Sequence, residues 1–145
     1  MKYKLGIFLI ILLSLDILFS LQALPQTKEN SIPTSDSKNL TLFHAVMCEE
    51  VKKHVPRNPA IVFSITIGKV FCYTSFDTVP KKTFIYHNWF HRDKISTKIK
   101  LNLKPPRWST FSRIQLREAD KGPWHMEITD SKGNILRVLR FSITD

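Results

Sequence analysis

The chain has 145 residues, a formal net charge of +10, two cysteines and four glycines. That length fits a single domain of ordinary size once a leader and a polar spacer are set aside. The cysteines lack Cys-x-x-Cys spacing, which argues against thiol redox catalysis. The glycines form no phosphate-binding loop.

Residues 1–25 are predicted to be a signal peptide or a membrane anchor, formed by an N-terminal apolar helix. A basic start and a long apolar run are typical of a secretory signal, and Ala23 could end it, although Leu21 is a poor residue two positions earlier. Leu5 to Leu24 is also about long enough to cross a bilayer, with Asp16 as its one charge. Both alternatives place the protein outside the cytoplasm, periplasmic or anchored facing the periplasm. Membrane contact is then expected through this segment alone.

Residues 26–41 are polar and read as a linker, and residues 42–145 are predicted to form one domain. His54 to Pro59 carries two prolines and is predicted to be a loop, and Gly68-Lys69 is predicted to be a tight turn between strands. The predicted strands are Leu42–Val51, Ala60–Ile67, Val70–Phe76, Thr83–His91, Ile95–Lys104, Trp108–Leu116, Trp124–Ile128 and Ile135–Ile143. Short strands separated by turn residues predict an all-β fold, an antiparallel Ig-like β-sandwich of seven or eight strands.

The stretch from Ile95 to Lys104 alternates strictly between two kinds of side chain. One phase holds Ile95, Thr97, Ile99, Leu101 and Leu103, and the other holds Ser96, Lys98, Lys100, Asn102 and Lys104. Alternation with period two indicates a strand with one buried face. The lysines are therefore expected on the solvent side of the sheet.

Several segments, taken in order, resemble a bacterial family known as domain of unknown function 2914. They are Cys48-Glu49-Glu50-Val51 with Pro59, Val70-Phe71-Cys72-Tyr73-Thr74, His87-Asn88-Trp89-Phe90, Arg107 to Ser112, Gly122-Pro123-Trp124, Asp130, Gly133 to Leu136, and Phe141. The resemblance covers roughly residues 42 to 144. It implies an exported Ig-like β-sandwich, and it brings no activity, cofactor or catalytic residue with it.

Cys48 and Cys72 have two interpretations that the sequence leaves open. Export would permit a disulfide between them. Both also lie in apolar strand-like runs, where a cysteine is a small buried hydrophobe.

The aromatic residues divide by strand phase. Trp108 and Trp124 share the apolar phase of their strands and are expected in the core. Trp89 shares its phase with His87, and Phe111 lies on a polar phase with Arg113, so Trp89 and Phe111 are the predicted exposed aromatics. Together they suggest glycan binding as an alternative function.

The histidines do not predict a metal site. His87 and His91 are four apart on one strand, about 13 Å, which is too far for two ligands of one ion. His87 is instead expected to hydrogen-bond a neighbouring strand. No cofactor is predicted.

The positive charge predicts a basic surface. Its members are Lys98, Lys100 and Lys104 on one strand and Arg113 and Arg117 on the next, which become neighbours if the two strands form a hairpin. One interpretation is a solvated sheet edge protected by lysine. The other is a docking surface for an anionic envelope component, which could be an acidic protein, a lipid headgroup or a polysaccharide. Export disfavours nucleic acid as the partner.

The sequence does not define a biochemical activity. The carboxylates mostly fall in or beside turns, and no nucleophile motif is present. The expected function is therefore a non-catalytic binding module that uses the basic surface, with an uncharacterised envelope enzyme as a further alternative.

Overall fold

The computed structural model describes residues 39–145. The predicted N-terminal helix, the signal or anchor and nearly all of the predicted linker lie outside these residues. Within residues 39–145 no helix is both long and apolar enough to span a bilayer.

Within residues 39–145, nine strands form two sheets packed face to face. They are β1 (Thr41–Lys52), β2 (Val55–Pro59), β3 (Val62–Ser64), β4 (Lys69–Thr78), β5 (Thr83–His91), β6 (Lys94–Leu103), β7 (Trp108–Gln115), β8 (Gly122–Thr129) and β9 (Ile135–Thr144). One sheet has the order β2-β1-β4-β7 and the other the order β3-β9-β8-β5-β6. The described part of the chain also contains two 3-10 turns, Ile65–Ile67 and Glu118–Asp120. The predicted β-sandwich is confirmed.

The segment before β4 differs from its prediction. Ala60 to Ile67 was expected to be a strand paired with β4 across Gly68-Lys69, but only β3 is extended, and it pairs in parallel with β9 of the other sheet. Ile65–Ile67 forms a 3-10 turn, and Gly68 closes it with a φ of 72°. Glycine adopts this left-handed conformation without steric cost. Because β3 and β4 belong to different sheets, the chain crosses from one sheet to the other at this turn. The predicted pairing of two strands across Gly68-Lys69 is therefore wrong.

The predicted loop from His54 to Pro59 is mostly a strand. Lys52 pairs with Val55, so β1 and β2 are joined by two residues, Lys53 and His54, with φ values of 50° and 59°. Two consecutive positive φ angles are typical of the type I′ hairpin turn, which usually carries Asn or Gly. β2 tolerates its prolines because it lies at a sheet edge, where one row of backbone N–H groups has no ladder partner.

The core lies between the two sheets and is rich in aromatic and aliphatic side chains. Its buried members include Phe63, Val70, Phe76, Ile85, Trp89, Leu103, Trp124, Met126, Ile128 and Ile143. Trp124, which was expected in the core, is buried together with Met126 and Ile128 of the same strand, and Trp108 packs against the same cluster. Alternate residues of the central strands supply this layer, as the period of a strand requires.

The cysteines do not form a disulfide. Met47 pairs with Cys72 and Cys48 pairs with Phe71 across β1 and β4. Because directly paired residues share a face and neighbours along a strand alternate, Cys48 and Cys72 point to opposite faces of the sheet. Both are free and buried, and burial raises the pKa of both thiols, that of Cys48 to about 11. The interpretation as small buried hydrophobes is the one that fits.

A β-bulge in β6 fixes the orientation of the five-stranded sheet. Phe90 pairs with Ile95 and Trp89 pairs with Thr97, so Ser96 has no partner on β5. A one-residue bulge shifts the alternation by one and exchanges the two faces beyond it. Ile95 therefore leaves the buried phase predicted for it and is 59% exposed, whereas Leu103 is buried.

Candidate functional site

The predicted basic residues lie along one edge of the sandwich. β6 ends the five-stranded sheet and β7 ends the four-stranded sheet, so they are not the hairpin that the sequence suggested. The two strands are joined by residues 104–107 and lie beside each other on the same side of the domain. We define the basic edge as Lys98, Lys100, Lys104, Arg113 and Arg117.

The charge of this edge is unbalanced. From Lys94 to Arg117 the sequence contains seven Lys and Arg residues and no Asp or Glu. Residues 39–145 together carry 18 Lys and Arg against nine Asp and Glu. Most of the net charge of the described domain therefore lies in β6, β7 and their connection.

The lysines of β6 lie over aromatic rings of β5 on the outer face of the sheet. Lys98 Nζ is 4.0 Å from the centroid of Tyr86, and Lys100 Nζ is 4.0 Å from the centroid of Phe84. Lys104 follows the strand, with Nζ 5.5 Å from the centroid of Trp108. An ammonium over an aromatic face is attracted by the ring quadrupole and remains available to solvent at an exposed site.

The two arginines of the basic edge lie on the side of the four-stranded sheet, Arg113 within β7 and Arg117 just after it. Arg113 pairs with Phe71 and projects, with Phe111, from the outer face of the four-stranded sheet. Arg117 follows β7, and its Nε lies 3.4 Å from Asp120 Oδ2, while its side chain is 80% exposed. The predicted single basic face is therefore wrong in detail, because the lysines and Arg113 project from opposite faces of the sandwich and meet only at its edge.

A groove separates the two halves of the basic edge. It has a volume of about 410 Å³ and lies at the end of β6 and β7 that is remote from their connection. Thr97 and Ile99 line one side and Ile114 the other, and Arg113 and Arg117 also border it. A partner seated here would contact apolar and cationic side chains together.

Trp89 and His87 are not on the surface. Both are 0% exposed, so the prediction that Trp89 is an exposed aromatic is wrong, and glycan binding cannot use it. The ring packs edge-on against Phe141, with centroids 6.1 Å apart. Phe111 is exposed at 39% and packs against Phe71, with centroids 5.8 Å apart.

A buried hydrogen-bond chain joins the two sheets through His87. The indole N–H of Trp89 donates to Ser112 Oγ over 3.1 Å, and Ser112 lies 2.7 Å from His87 Nδ1. His87 Nε2 lies 3.4 Å from Thr74 Oγ1, whose hydroxyl donates to the Thr110 carbonyl. A carbonyl can only accept, so the single proton of the Thr74 hydroxyl is used on Thr110, and Thr74 can only accept from His87. An indole can only donate, so Ser112 Oγ accepts from Trp89 and keeps its own proton to donate. In a neutral imidazole one nitrogen donates and the other accepts, which fixes both remaining hydrogen bonds. Ser112 donates to Nδ1, and the protonated Nε2 donates to Thr74.

This chain requires a neutral imidazole. Burial lowers the pKa of His87 from 6.5 to about 3, because a charged ring loses its hydration in the core. The Ser112–His87 pair resembles a nucleophile and its base in distance alone. Ser112 is 5% exposed and His87 is 0% exposed, so the pair lies closed between the sheets.

His91 and His125 also have local partners. His91 Nε2–H donates to the Lys121 carbonyl, and its ring stacks on Trp124 at 4.5 Å. His125 stacks on Phe90 at 4.5 Å, with Asp93 and Glu127 on its two nitrogens. Within residues 39–145 no group of three or more His, Cys, Asp or Glu side chains is placed to hold a metal ion.

Sequence reasoning missed Phe84 and Tyr86, the rings under the lysines. Their outward orientation follows from the bulge at Ser96, since an unbroken ladder from the Arg92-Asp93 turn would pair Tyr86 with Ile99 on the apolar phase. In the structure Tyr86 pairs with Lys100 instead. The one local signal is that both phases of β5 contain large apolar residues, so the apolar pattern of that strand does not identify a buried face.

A larger concavity than this groove, of about 530 Å³, lies beside the connection between β8 and β9. Asp130 contributes to it, but this carboxylate accepts hydrogen bonds from Lys132 N and Asn134 N within its own turn. The side-chain amide of Asn134 is the main cause of its lowered pKa. These bonds account for Asp130 as a turn residue in the connection between β8 and β9.

Comparison with known proteins gives one family. No curated protein matches the chain. Residues 82–143 match the model of a family described as protein of unknown function, DUF2914. The matched stretch runs from the start of β5 nearly to the end of β9 and includes the whole basic edge. It is shorter than the resemblance described above, which covers roughly residues 42 to 144. This match supports the assignment of the chain to the DUF2914 family, whose function is unknown.

Proposed function

We propose that this protein is a non-catalytic binding module that holds an anionic partner along the basic edge. The observation that carries the proposal is the run of seven cationic residues without an acidic one from Lys94, at the start of β6, to Arg117, just after β7. Opposite charge on a partner both orients its approach and suppresses wrong partners.

The surroundings of the charges also favour binding. Lys98 and Lys100 lie on aromatic rings, and the neighbouring groove contains Ile99 and Ile114. Interfaces combine apolar contact with charged anchors at their margin. A face that served solubility alone would not need the groove.

A non-catalytic role is supported by where the reactive pair lies. Catalysis requires a nucleophile and base that a substrate can reach. Ser112 and His87 are enclosed in the core, where they connect the two sheets. Their hydrogen bonds are explained by a structural role, since they join β5 of one sheet to β7 of the other.

The proposed compartment is the cell envelope, reached through the apolar segment at residues 5–24. The free thiols neither require nor exclude an oxidising environment. Fusion of a reporter enzyme that is active only after export, placed after residue 145, tests this part. An inactive reporter would contradict it.

Binding is tested with three anionic probes: poly-L-glutamate, a polyuronate and vesicles containing anionic lipid. The double variant K98E/K100E is expected to lose affinity for the preferred probe by roughly tenfold or more, because both anchors are reversed. K52E/K53E is the matched control, since it changes net charge equally at exposed residues of the opposite sheet edge. Equal losses in both variants would show a general charge effect and would contradict a site at the basic edge.

A further inference from the structure

The exposed side of β6 is a long strand edge. β6 has ten residues, of which the seven from Thr97 to Leu103 follow the bulge at Ser96 without interruption, and within residues 39–145 it pairs with β5 alone. Every second residue of such a strand directs its N–H and C=O away from the sheet, as a template for a further strand. β3, at the opposite end of the same sheet, offers only three residues.

The side chains of β6 present a two-sided pattern to that added strand. Lys98 and Lys100 point to the outer face, paired with Asn88 and Tyr86. Thr97 and Ile99 point inward and line the groove, beside Ile114 of β7. Residues of an added strand would therefore meet cations on one face and an apolar groove on the other.

We propose that β6 binds an extended segment of a partner protein by strand addition, and that this segment alternates acidic and apolar residues. The inference rests on the proposed function and specifies its partner and mode. Backbone hydrogen bonds to β6 provide the attachment, and the alternating side chains provide specificity. Acidic residues of the partner lie beside Lys98 and Lys100, and its apolar residues fill the groove.

A second copy of this chain is a poorer occupant. Pairing β6 with its own copy would bring lysines close to lysines on the outer face, and directly opposed like charges destabilise a sheet. Lysine on an exposed edge is a common protection against self-association. The same residues that resist a copy attract an acidic strand.

The test uses the full chain and a synthetic peptide of ten residues, the length of β6, that alternates valine and glutamate. Fluorescence anisotropy measures its binding. A peptide of the same composition with the five valines and five glutamates in separate blocks is the control. The alternating peptide is expected to bind roughly tenfold more tightly or better, because only its pattern matches both faces of the strand.

Backbone pairing is tested with two further peptides. One is N-methylated at every valine and the other at every glutamate. Amides of successive residues face opposite edges of a strand, so one of the two peptides is expected to lose binding and the other to keep it. Equal affinities for both would overturn strand addition.

Variants of the protein complete the test. T97K places an inward charge at the half-exposed edge, a device that blocks strand addition, and it is expected to abolish peptide binding. Circular dichroism checks that the variant stays folded. K98E/K100E is expected to lose binding of the alternating peptide, and K52E/K53E to retain it within about twofold.

The outcomes separate the inference from the proposed function. If the blocked and alternating peptides bind equally, and both depend on Lys98 and Lys100, the basic edge binds anions but strand addition is wrong. If no acidic probe depends on those lysines, both proposals fail. If the alternating peptide does not bind, or if sedimentation shows dimers that T97K abolishes, the proposed occupant is wrong.

Discussion

β5 and β6 lie side by side in the five-stranded sheet, yet His87 of β5 and the lysines of β6 point to opposite faces. β6 directs Lys98 and Lys100 to solvent, whereas β5 directs His87 into the core and Phe84 and Tyr86 outward. β6 is an edge strand, and β5 is flanked on both sides. A polar residue on a central strand is therefore weaker evidence for a solvent-facing phase than one on an edge strand, because a central strand has partners that can satisfy it.

The contrast is energetic as well as geometric. His87 and Trp89 of β5 contribute through a buried hydrogen-bond chain, and removing a member of that chain leaves its neighbours without partners. The cations of β6 contribute through exposed contacts, which water can replace. The two strands should consequently differ in how strongly substitution affects folding, and four experiments test this difference.

The largest effect is expected at Trp89. Replacing it with alanine removes a fully buried ring and the donor to Ser112, and should lower the free energy of unfolding by about 3–5 kcal/mol. Urea denaturation measures it. Phe90→Ala, on the outer phase of the same strand, is the matched control. A smaller loss for W89A than for F90A would contradict the orientation of β5.

The second effect is an acid sensitivity caused by His87. The unfolded chain binds this proton below pH 6.5, and the folded chain only below about 3. The unfolded state therefore binds more protons between these values, and stability falls as the pH is lowered through that window. The loss should reach about 2 kcal/mol between about pH 7 and about pH 5.

Urea denaturation at the two pH values measures this loss. His87→Gln is the control, since it cannot titrate and should lack this component at a lower overall stability. If H87Q shows the same pH dependence as the wild-type protein, His87 is not its source.

The third effect is expected at Ser112, which connects Trp89 to His87. Ser112→Ala leaves the indole N–H and His87 Nδ1 without their partner, and should cost about 1–3 kcal/mol. Ser109→Ala, three residues earlier on the outer phase of β7, removes a hydroxyl whose partner is His54 Nδ1 in a solvent-exposed hydrogen bond of 3.2 Å. Because water can replace that bond, the change in stability should be less than about 0.5 kcal/mol. Similar losses in both variants would contradict the buried chain.

The smallest effect is expected on β6. Lys98→Ala and Lys100→Ala each remove one exposed ammonium–ring contact, which should cost about 0.5–1 kcal/mol. Thermal denaturation compares each variant with the wild-type protein. A loss as large as that of S112A would show that the lysines are structural, and would weaken the case that they serve binding.

The sequence predicted most strand positions, because alternation and turn residues are local signals. The Arg92-Asp93 turn and the Asp130–Asn134 turn lie where expected. β2 was missed because its type I′ turn uses Lys53 and His54, which carry no turn signature. The hairpin between the second and third predicted strands was wrong because β3 pairs with β9, some 80 residues later in the chain.

The sequence by itself determined the strand pattern, the all-β class and the concentration of positive charge between Lys94 and Arg117. Tertiary structure alone decided which sheet each strand joins and which face each phase occupies. The physical reason is the bulge at Ser96. One unpaired residue reverses inside and outside along a ladder, so His87 and Trp89 enter the core and the lysines of β6 come to lie over Phe84 and Tyr86.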